Sequence, residues 1–461
     1  MLSSWVQLGA GSDAELRAIA RPADGCPAAT VNGIEQAMIR RADASPALPP
    51  DAAKPDNPAF NPDFAVLSCA LTLKPSVREV SIDGQRLALR KPNSRRIVVL
   101  GDTGCRIKVP ASGKADPIQD CTDPQAWPWA RIAAAAARTQ PDLVIHVGDY
   151  HYREYCDNPE RCGALQQKGT VIDYGWAGWN ADFFTPAAPL LAAAPWVFVR
   201  GNHENCDRGG EGWMRFLSPL PYRACADQRI KSTSRSQLGN NLTAEAYRID
   251  LDETLALVVA DNSGHEDYRP ANQTPHDVAV FRQTLGALRS APATQRLWLL
   301  AHKPIWYDLL EPASQPNALQ TVLRDGPPAN LQLAFSGHQH AFETINFAPD
   351  ADPYHPSGRP AQVIVGGSGT QLESLDPHSP LYEGLFGPGS KERARPDARL
   401  YEGIAASSGI VLNRYSFLLL EGDQDGWAGT VINPDGEALS HCRLSGRQKA
   451  LSCRSPDHAS R

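Results

Sequence analysis

A chain of 461 residues has room for one large catalytic domain with additions or for a few smaller domains. Its 42% hydrophobic and 21% charged residues exclude global disorder, and a formal net charge of −6 excludes a nonspecific nucleic-acid or membrane-surface binder. No apolar run reaches the roughly 18 residues that a membrane-spanning helix needs.

Met1 to Trp5 has no basic region followed by an apolar run, so it does not read as an intact signal peptide. Residues 1–90 are rich in Ala, Pro and Asp, and the proline-dense stretch Ala44–Pro62 reads as an extended linker or wrapped arm. Two strand-like runs follow, Phe64–Leu73 and Val77–Leu89, with Asp83-Gly84 as a hairpin turn. This is a small β-rich N-terminal region.

From about Arg95 the pattern changes to short apolar runs, each closing on a polar cluster. Ile97–Leu100 precedes Gly101-Asp102, Leu143–Val147 precedes Gly148-Asp149, and Trp196–Val199 precedes Gly201-Asn202-His203-Glu204. Leu255–Ala260 then leads to Asp261, Leu297–Ala301 to His302, Leu331–Phe335 to Gly337-His338, and Val363–Val365 to Gly366-Gly367. Continuous runs of this length suit strands buried on both faces. The Ala-rich segment Pro124–Arg138 and the spacing of Val278, Phe281, Leu285 and Leu288 predict helices between them. Such alternation predicts an α/β domain, whose ligands gather at the carboxyl ends of the strands. Residues 371–410 read as a surface excursion, and strand character returns over 409–434. The expected division is an N-terminal region 1–90, a catalytic domain 91–375, and a segment 376–461 that completes it.

Ten cysteines argue for an oxidising compartment, secreted or periplasmic. Near-neighbour couples are Cys105 with Cys121, Cys156 with Cys162, Cys206 with Cys225 and Cys442 with Cys453, leaving Cys26 and Cys69; at least four disulfides are expected. Asn241-Leu242-Thr243 and Asn272-Gln273-Thr274 fit the glycosylation acceptor pattern.

The polar clusters supply carboxylate, imidazole and amide ligands, the donor types of hard and borderline divalent metals. Asp102, Asp149, Asn202, His302, His338 and His340 suffice for two metals if one carboxylate bridges them. Such a pair activates a water, neutralises phosphoryl charge and clamps attacking and leaving groups in line. Taken singly, a Gly-Asp is commonly a turn and His302 an ordinary core histidine; His338 and His340, one residue apart, would point the same way from a strand. Around them, Lys303 reads as a phosphate contact or a solvated lysine. Trp176, Trp179 and Trp306 read as pocket floor or core, and Asp261 as a support for His302 or His203.

In this order the blocks resemble the calcineurin-like metallophosphoesterase superfamily over roughly residues 95–375. The resemblance implies two β-sheets packed face to face and flanked by helices. It implies Asp102 and His340 on a first metal, Asp149 bridging, and Asn202, His302 and His338 on a second. It also implies that His203 contacts the phosphate and protonates the leaving group. Most of the superfamily places a His ligand where this chain has Gly104. The purple acid phosphatase branch has the same Gly and places a Tyr three residues after the bridging Asp, the position of Tyr152; His151 is a rival. A phenolate ligand implies iron at the first position with Zn, Mn or Fe at the second. The expected activity is phosphomonoester hydrolysis on a small phosphorylated substrate, with a phosphodiesterase or nucleotide hydrolase as the alternative and a non-catalytic metal- or phosphate-binding protein as a remote one.

Overall fold

The computed structural model describes residues 1–11, 13–45, 62–107, 118–154, 159–206, 208–225, 245–264, 275–306, 317–347, 355–373, 384–386 and 406–454. Eight strands precede the predicted α/β pattern: β1 (Ser3–Leu8), β2 (Ala14–Ala20), β3 (Ala28–Val31), β4 (Ile34–Ala37), β5 (Ile39–Ala42), β6 (Leu67–Leu73), β7 (Val80–Ile82) and β8 (Gln85–Arg86). Then come β9 (Arg96–Leu100), β10 (Leu143–His146), β11 (Trp196–Phe198), β12 (Tyr247–Asp250), β13 (Leu255–Val259), β14 (Arg296–Leu300), β15 (Leu331–Ser336), β16 (Phe342–Phe347) and β17 (Ala361–Val365). The chain continues through β18 (Gly384–Phe386), β19 (Ala406–Leu412), β20 (Phe417–Gly422), β21 (Gly426–Ile432), β22 (Ala438–Ser445) and β23 (Ser452–Arg454).

These strands form an 11-stranded sheet, β23-β22-β21-β20-β9-β10-β11-β1-β2-β6-β5, and an 8-stranded sheet, β12-β13-β14-β15-β17-β16-β19-β18. A 4-stranded sheet, β4-β3-β7-β8, stands beside them. β9, β10, β11 and β1 run parallel in the first large sheet, and β13, β14, β15 and β17 in the second.

The strict alternation of side chains along a strand decides the layers. Ile97, Val99, Leu143 and Ile145 from one sheet and Leu255, Leu257, Trp298, Leu300 and Val363 from the other share a single core between the sheets. The intervening Val98, Leu100 and Val144 face the helices Trp129–Arg138 and Thr185–Ala193. Ala256, Val258, Leu297 and Leu299 face the helices Pro275–Arg289 and Ala318–Leu323. Both sheets are therefore covered on two faces, which is why their central strands read as unbroken apolar runs. The expected sandwich of two sheets flanked by helices is the observed fold.

The Asp83-Gly84 hairpin is present. Ile82 pairs with Gln85, and φ values of 49° and 77° at the two turn residues match the left-handed turn that such loops favour. Strands β1 and β2 carry no clear sequence signal, yet β1 inserts beside β11 and runs parallel to it. Arg17 on β2 donates to the Phe216 and Ser218 carbonyls, and Arg41 on β5 to those of Met214, Arg215 and Ser218. The N-terminal strands thus grip the segment after the Asn202–Glu204 turn.

Disulfides join Cys26–Cys69, Cys105–Cys121, Cys206–Cys225 and Cys442–Cys453. The two cysteines without a near neighbour in sequence pair with each other; Cys69 lies on β6 opposite Ala18 of β2, and Cys26 lies a few residues beyond the end of β2. Cys156, and with it the expected Cys156–Cys162 couple, both glycosylation patterns and most of the excursion 371–410 fall outside the described residues. No helix among the described residues is long and apolar enough to cross a membrane.

Candidate metal centre

The two large sheets bring the carboxyl ends of β9, β10, β11, β14 and β15 to one edge of the sandwich, so every polar cluster of the sequence meets there. Backbone bonds lock the loops together: Asp102 N–H to Gly148 O at 2.9 Å, Thr103 N–H to Asp149 O at 2.9 Å, and Thr370 N–H to Asp102 O at 2.8 Å. Asp102, Asp149 and His338 adopt φ of 55°, 62° and 73°, a region that residues with a Cβ seldom occupy. Three such residues in one cluster are held by their surroundings, as happens at functional sites. The turn at His338 also corrects the expectation that His338 and His340 point alike from a strand. Both lie in the connection between β15 and β16, and the left-handed φ sends them to different partners.

In the first cluster the Tyr152 hydroxyl donates to Asp149 Oδ2 at 2.7 Å and lies 2.9 Å from His340 Nε2 and 3.4 Å from Asp102 Oδ1. Gly104 makes this approach possible. A Cβ there would meet Tyr152 N at 2.7 Å, Tyr152 Cδ2 at 2.8 Å and Tyr150 O at 2.9 Å. Buried Asp182, which the sequence gave no reason to single out, ties the same two loops. It accepts from Cys105 N at 3.2 Å, Tyr152 N at 2.7 Å and Arg153 Nε at 2.6 Å.

In the second cluster Asn202 Oδ1 lies 2.8 Å from His302 Nε2 and 2.9 Å from His338 Nδ1, and His302 Nε2 is 3.2 Å from Asp149 Oδ2. The other nitrogen of His302, Nδ1, stands 2.9 Å from the Val147 carbonyl, which takes its proton. With the Nδ1 proton given to that carbonyl, Nε2 turns toward the Asn202 oxygen, lone pair to lone pair. A shared cation stabilises that arrangement. Asp149, His302 and His338 each offer a ligand atom, all within 4.8 Å of one another.

Charge supports the same fit. Burial and the neighbouring Asp149 push the Asp102 carboxyl well up, while the Asp149 carboxyl, for all its burial, is held well down by His302 and His203. Two buried carboxylates side by side need cations. Burial and His302 push His338 well down, and burial with Arg106 pushes His340 down to about 3, so both imidazoles are neutral as ligands must be.

Supporting groups complete the frame. Glu204 accepts from the backbone N–H of Asp149, Tyr150, His151 and Gly201 at 2.9–3.2 Å, and so fixes the loop that carries Asp149. Asn262 accepts from the N–H of His302 and Lys303, whereas its neighbour Asp261 pairs with Arg200 at 3.3 Å. The His151 ring turns away, with Nε2 2.7 Å from the Asp173 carbonyl. Trp176, Trp179 and Trp306 pack in the cores on the helix sides of the sheets.

His203 donates its backbone N–H to Asp149 Oδ1 at 2.9 Å, and its ring stacks on Tyr152 with centroids 3.7 Å apart. Nδ1 lies 2.7 Å from Glu154 Oε1, which leaves Nε2 toward Asp149, 3.9 Å from Oδ2. Glu154 also receives Arg208 Nε at 2.5 Å. Neither Glu154 nor Arg208 stands in a motif that would have marked it.

The calcineurin-like phosphoesterase profile matches residues 95–342. The chain belongs to that family. It is a metal-dependent phosphoesterase, and family membership implies a dinuclear metal centre. The fold is similar to that of a purple acid phosphatase isolated from yellow lupin (Lupinus luteus) seeds. The TM-score is 0.55 at 14% identity, covering 94% of this chain and 72% of that one. PhoD gives a TM-score of 0.46 at 11% identity, covering 98% of this chain and 92% of that one. No curated protein matches the chain in sequence.

Proposed function

We propose that this phosphoesterase is an acid-phosphatase-type phosphomonoesterase with a tyrosine-bound first metal. The observation that carries the reading is Tyr152, whose hydroxyl reaches Asp149, His340 and Asp102 through the space that Gly104 leaves open. Asp102, Tyr152 and His340 would hold the first metal, Asn202, His302 and His338 would hold the second, and Asp149 would serve both. A phenolate favours iron at the first position, with Zn, Mn or Fe at the second. When bound, the pair supplies an activated water and neutralises phosphoryl charge.

The chain's own residues do the rest. Glu204 and Asp182 keep the ligand loops in register, and Glu154 orients His203 so that Nε2 faces the metals and can give a proton to the leaving oxygen. Four described disulfides suit an oxidising, extracellular environment, and secretion of the protein is part of this proposal. So is the division into 1–90, 91–375 and 376–461. A phosphodiesterase or nucleotide hydrolase on the same metals is the second reading, because the metals act on a phosphoryl group common to all three substrate classes.

Metal analysis beside the visible spectrum, with kinetics on 4-nitrophenyl phosphate and bis(4-nitrophenyl) phosphate, tests the proposal. The expected results are iron, a purple or pink band that Tyr152→Phe bleaches, and preference for the monoester. A colourless, iron-free and fully active enzyme indifferent to Tyr152→Phe rejects the tyrosinate. Preference for the diester rejects the monoesterase.

A further inference from the structure

Arg208 is a cation fixed beside the centre by a dedicated contact: its Nε is held by the buried carboxylate of Glu154 at 2.5 Å. Its Nη2 then stands 2.8 Å from both ring nitrogens of His203. Nη1 makes no hydrogen bond among the described residues, and the side chain keeps 17% of its surface exposed beside that ring. Glu154 also raises the Arg208 pKa despite burial, so the guanidinium is charged at any working pH. An oxygen that approaches His203 Nε2 from the metal side therefore comes within reach of a fixed, charged fork with N–H groups to spare.

We propose that Arg208 is a substrate-binding residue that reads the second negative charge of a phosphomonoester, with Glu154 as its positioning residue. This rests on the phosphomonoesterase reading above. A monoester carries two negative charges on three terminal oxygens. Two of those oxygens can face the metals while the third meets Arg208. A diester carries one charge and replaces that third oxygen by an ester link, which offers the guanidinium no anionic acceptor. Planar guanidinium recognition of phosphate is directional and charge-assisted, so the gain falls on the dianion. Cys206 is tied to Cys225 by a disulfide, and Arg208 N–H and Gly210 N–H bond to Asn205 O at 2.8 and 3.0 Å while Gly209 N–H bonds to His203 O at 2.9 Å. These ties hold His203 and Arg208 in fixed relation, which lets one arginine discriminate between substrates that share the same metals.

The test compares the metal-loaded wild type with Arg208→Gln, Arg208→Lys and Glu154→Gln on 4-nitrophenyl phosphate and bis(4-nitrophenyl) phosphate, with inorganic phosphate as competitive inhibitor. Loss of one such charged donor is worth about 10²-fold. Arg208→Gln should lower kcat/KM for the monoester by about that factor while diester turnover falls less than tenfold, at unchanged metal content, and inhibition by phosphate should weaken in parallel. Arg208→Lys, which keeps charge but loses the fork, should fall between the two. Glu154→Gln should shift the monoester-to-diester ratio in the same direction. Equal losses on both substrates, or phosphate inhibition that does not weaken, overturn the role of Arg208. A wild type that turns over only the diester rejects the monoesterase reading instead, and the phosphate-inhibition arm still decides Arg208.

Discussion

Replacing Gly104 by alanine perturbs the centre without replacing any charged or metal-binding residue. Gly104 has no left-handed φ to preserve, so the cost is purely spatial. Its new Cβ would stand 2.7 Å from Tyr152 N, 2.8 Å from Tyr152 Cδ2 and 2.9 Å from Tyr150 O. Two of these three atoms are backbone, so a rotamer change cannot relieve them, and the loop must retreat by about 0.7 Å to reach ordinary contact. Such a shift lengthens the Tyr152 hydroxyl contacts to Asp149 and His340, now 2.7 and 2.9 Å. Overpacking of this kind costs about 1–3 kcal/mol. Taken up at the site, that weakens the first metal by about 5–150-fold. The assay is metal content per chain after dialysis against a graded chelator, beside the urea-unfolding midpoint of the metal-free protein. In the unfolding midpoint of the metal-free protein, Gly104→Ala should cost less in a Tyr152→Ala background than in the wild type, but not nothing, because only the Cδ2 contact is removed. A Gly104→Ala protein with an unchanged midpoint and wild-type metal retention refutes the argument that space at residue 104 sets the Tyr152 position.

Three further outcomes are expected. Asp149→Ala should abolish turnover and release both metals, since its carboxylate lies between the two clusters; two metals per chain in that variant reject the bridge. His203→Ala should keep its metals but lose about 10²–10⁴-fold in rate on alkyl esters, with a smaller loss on activated aryl esters, and equal losses argue against its acid role. Non-reducing peptide mapping should find Cys26–Cys69, Cys105–Cys121, Cys206–Cys225 and Cys442–Cys453, and a majority of free thiols there would overturn both the pairings and the oxidising compartment.

What the chain determines by itself is the set of strands buried on both faces and the polar residue that ends each one. Asp102, Asp149, Asn202, His302 and His338 were legible because a strand covered above and below must be apolar throughout, so a sharp switch to Gly-Asp or Gly-Asn-His-Glu marks where it emerges. Gly104 and Tyr152 were legible only as a pair, through resemblance, and the reason for the pairing is the overlap of one missing Cβ with one aromatic ring. Other features required the tertiary structure. Strand β1 has no signal as part of a catalytic sheet, because its place beside β11 depends on an edge built almost 200 residues later in the chain. Of the side chains that position the centre, Glu154, Arg208 and Asn262 sit in loops and turns, and Asp182 lies in the short helical stretch Asn180–Phe184, where nothing in the sequence marks it. A hydrogen bond to a distant backbone leaves no mark on local composition. Even the two histidines of the Gly337–His340 block were misread as a strand pair, since a φ of 73° at His338 is imposed by the contacts of the assembled sandwich rather than by the residue itself.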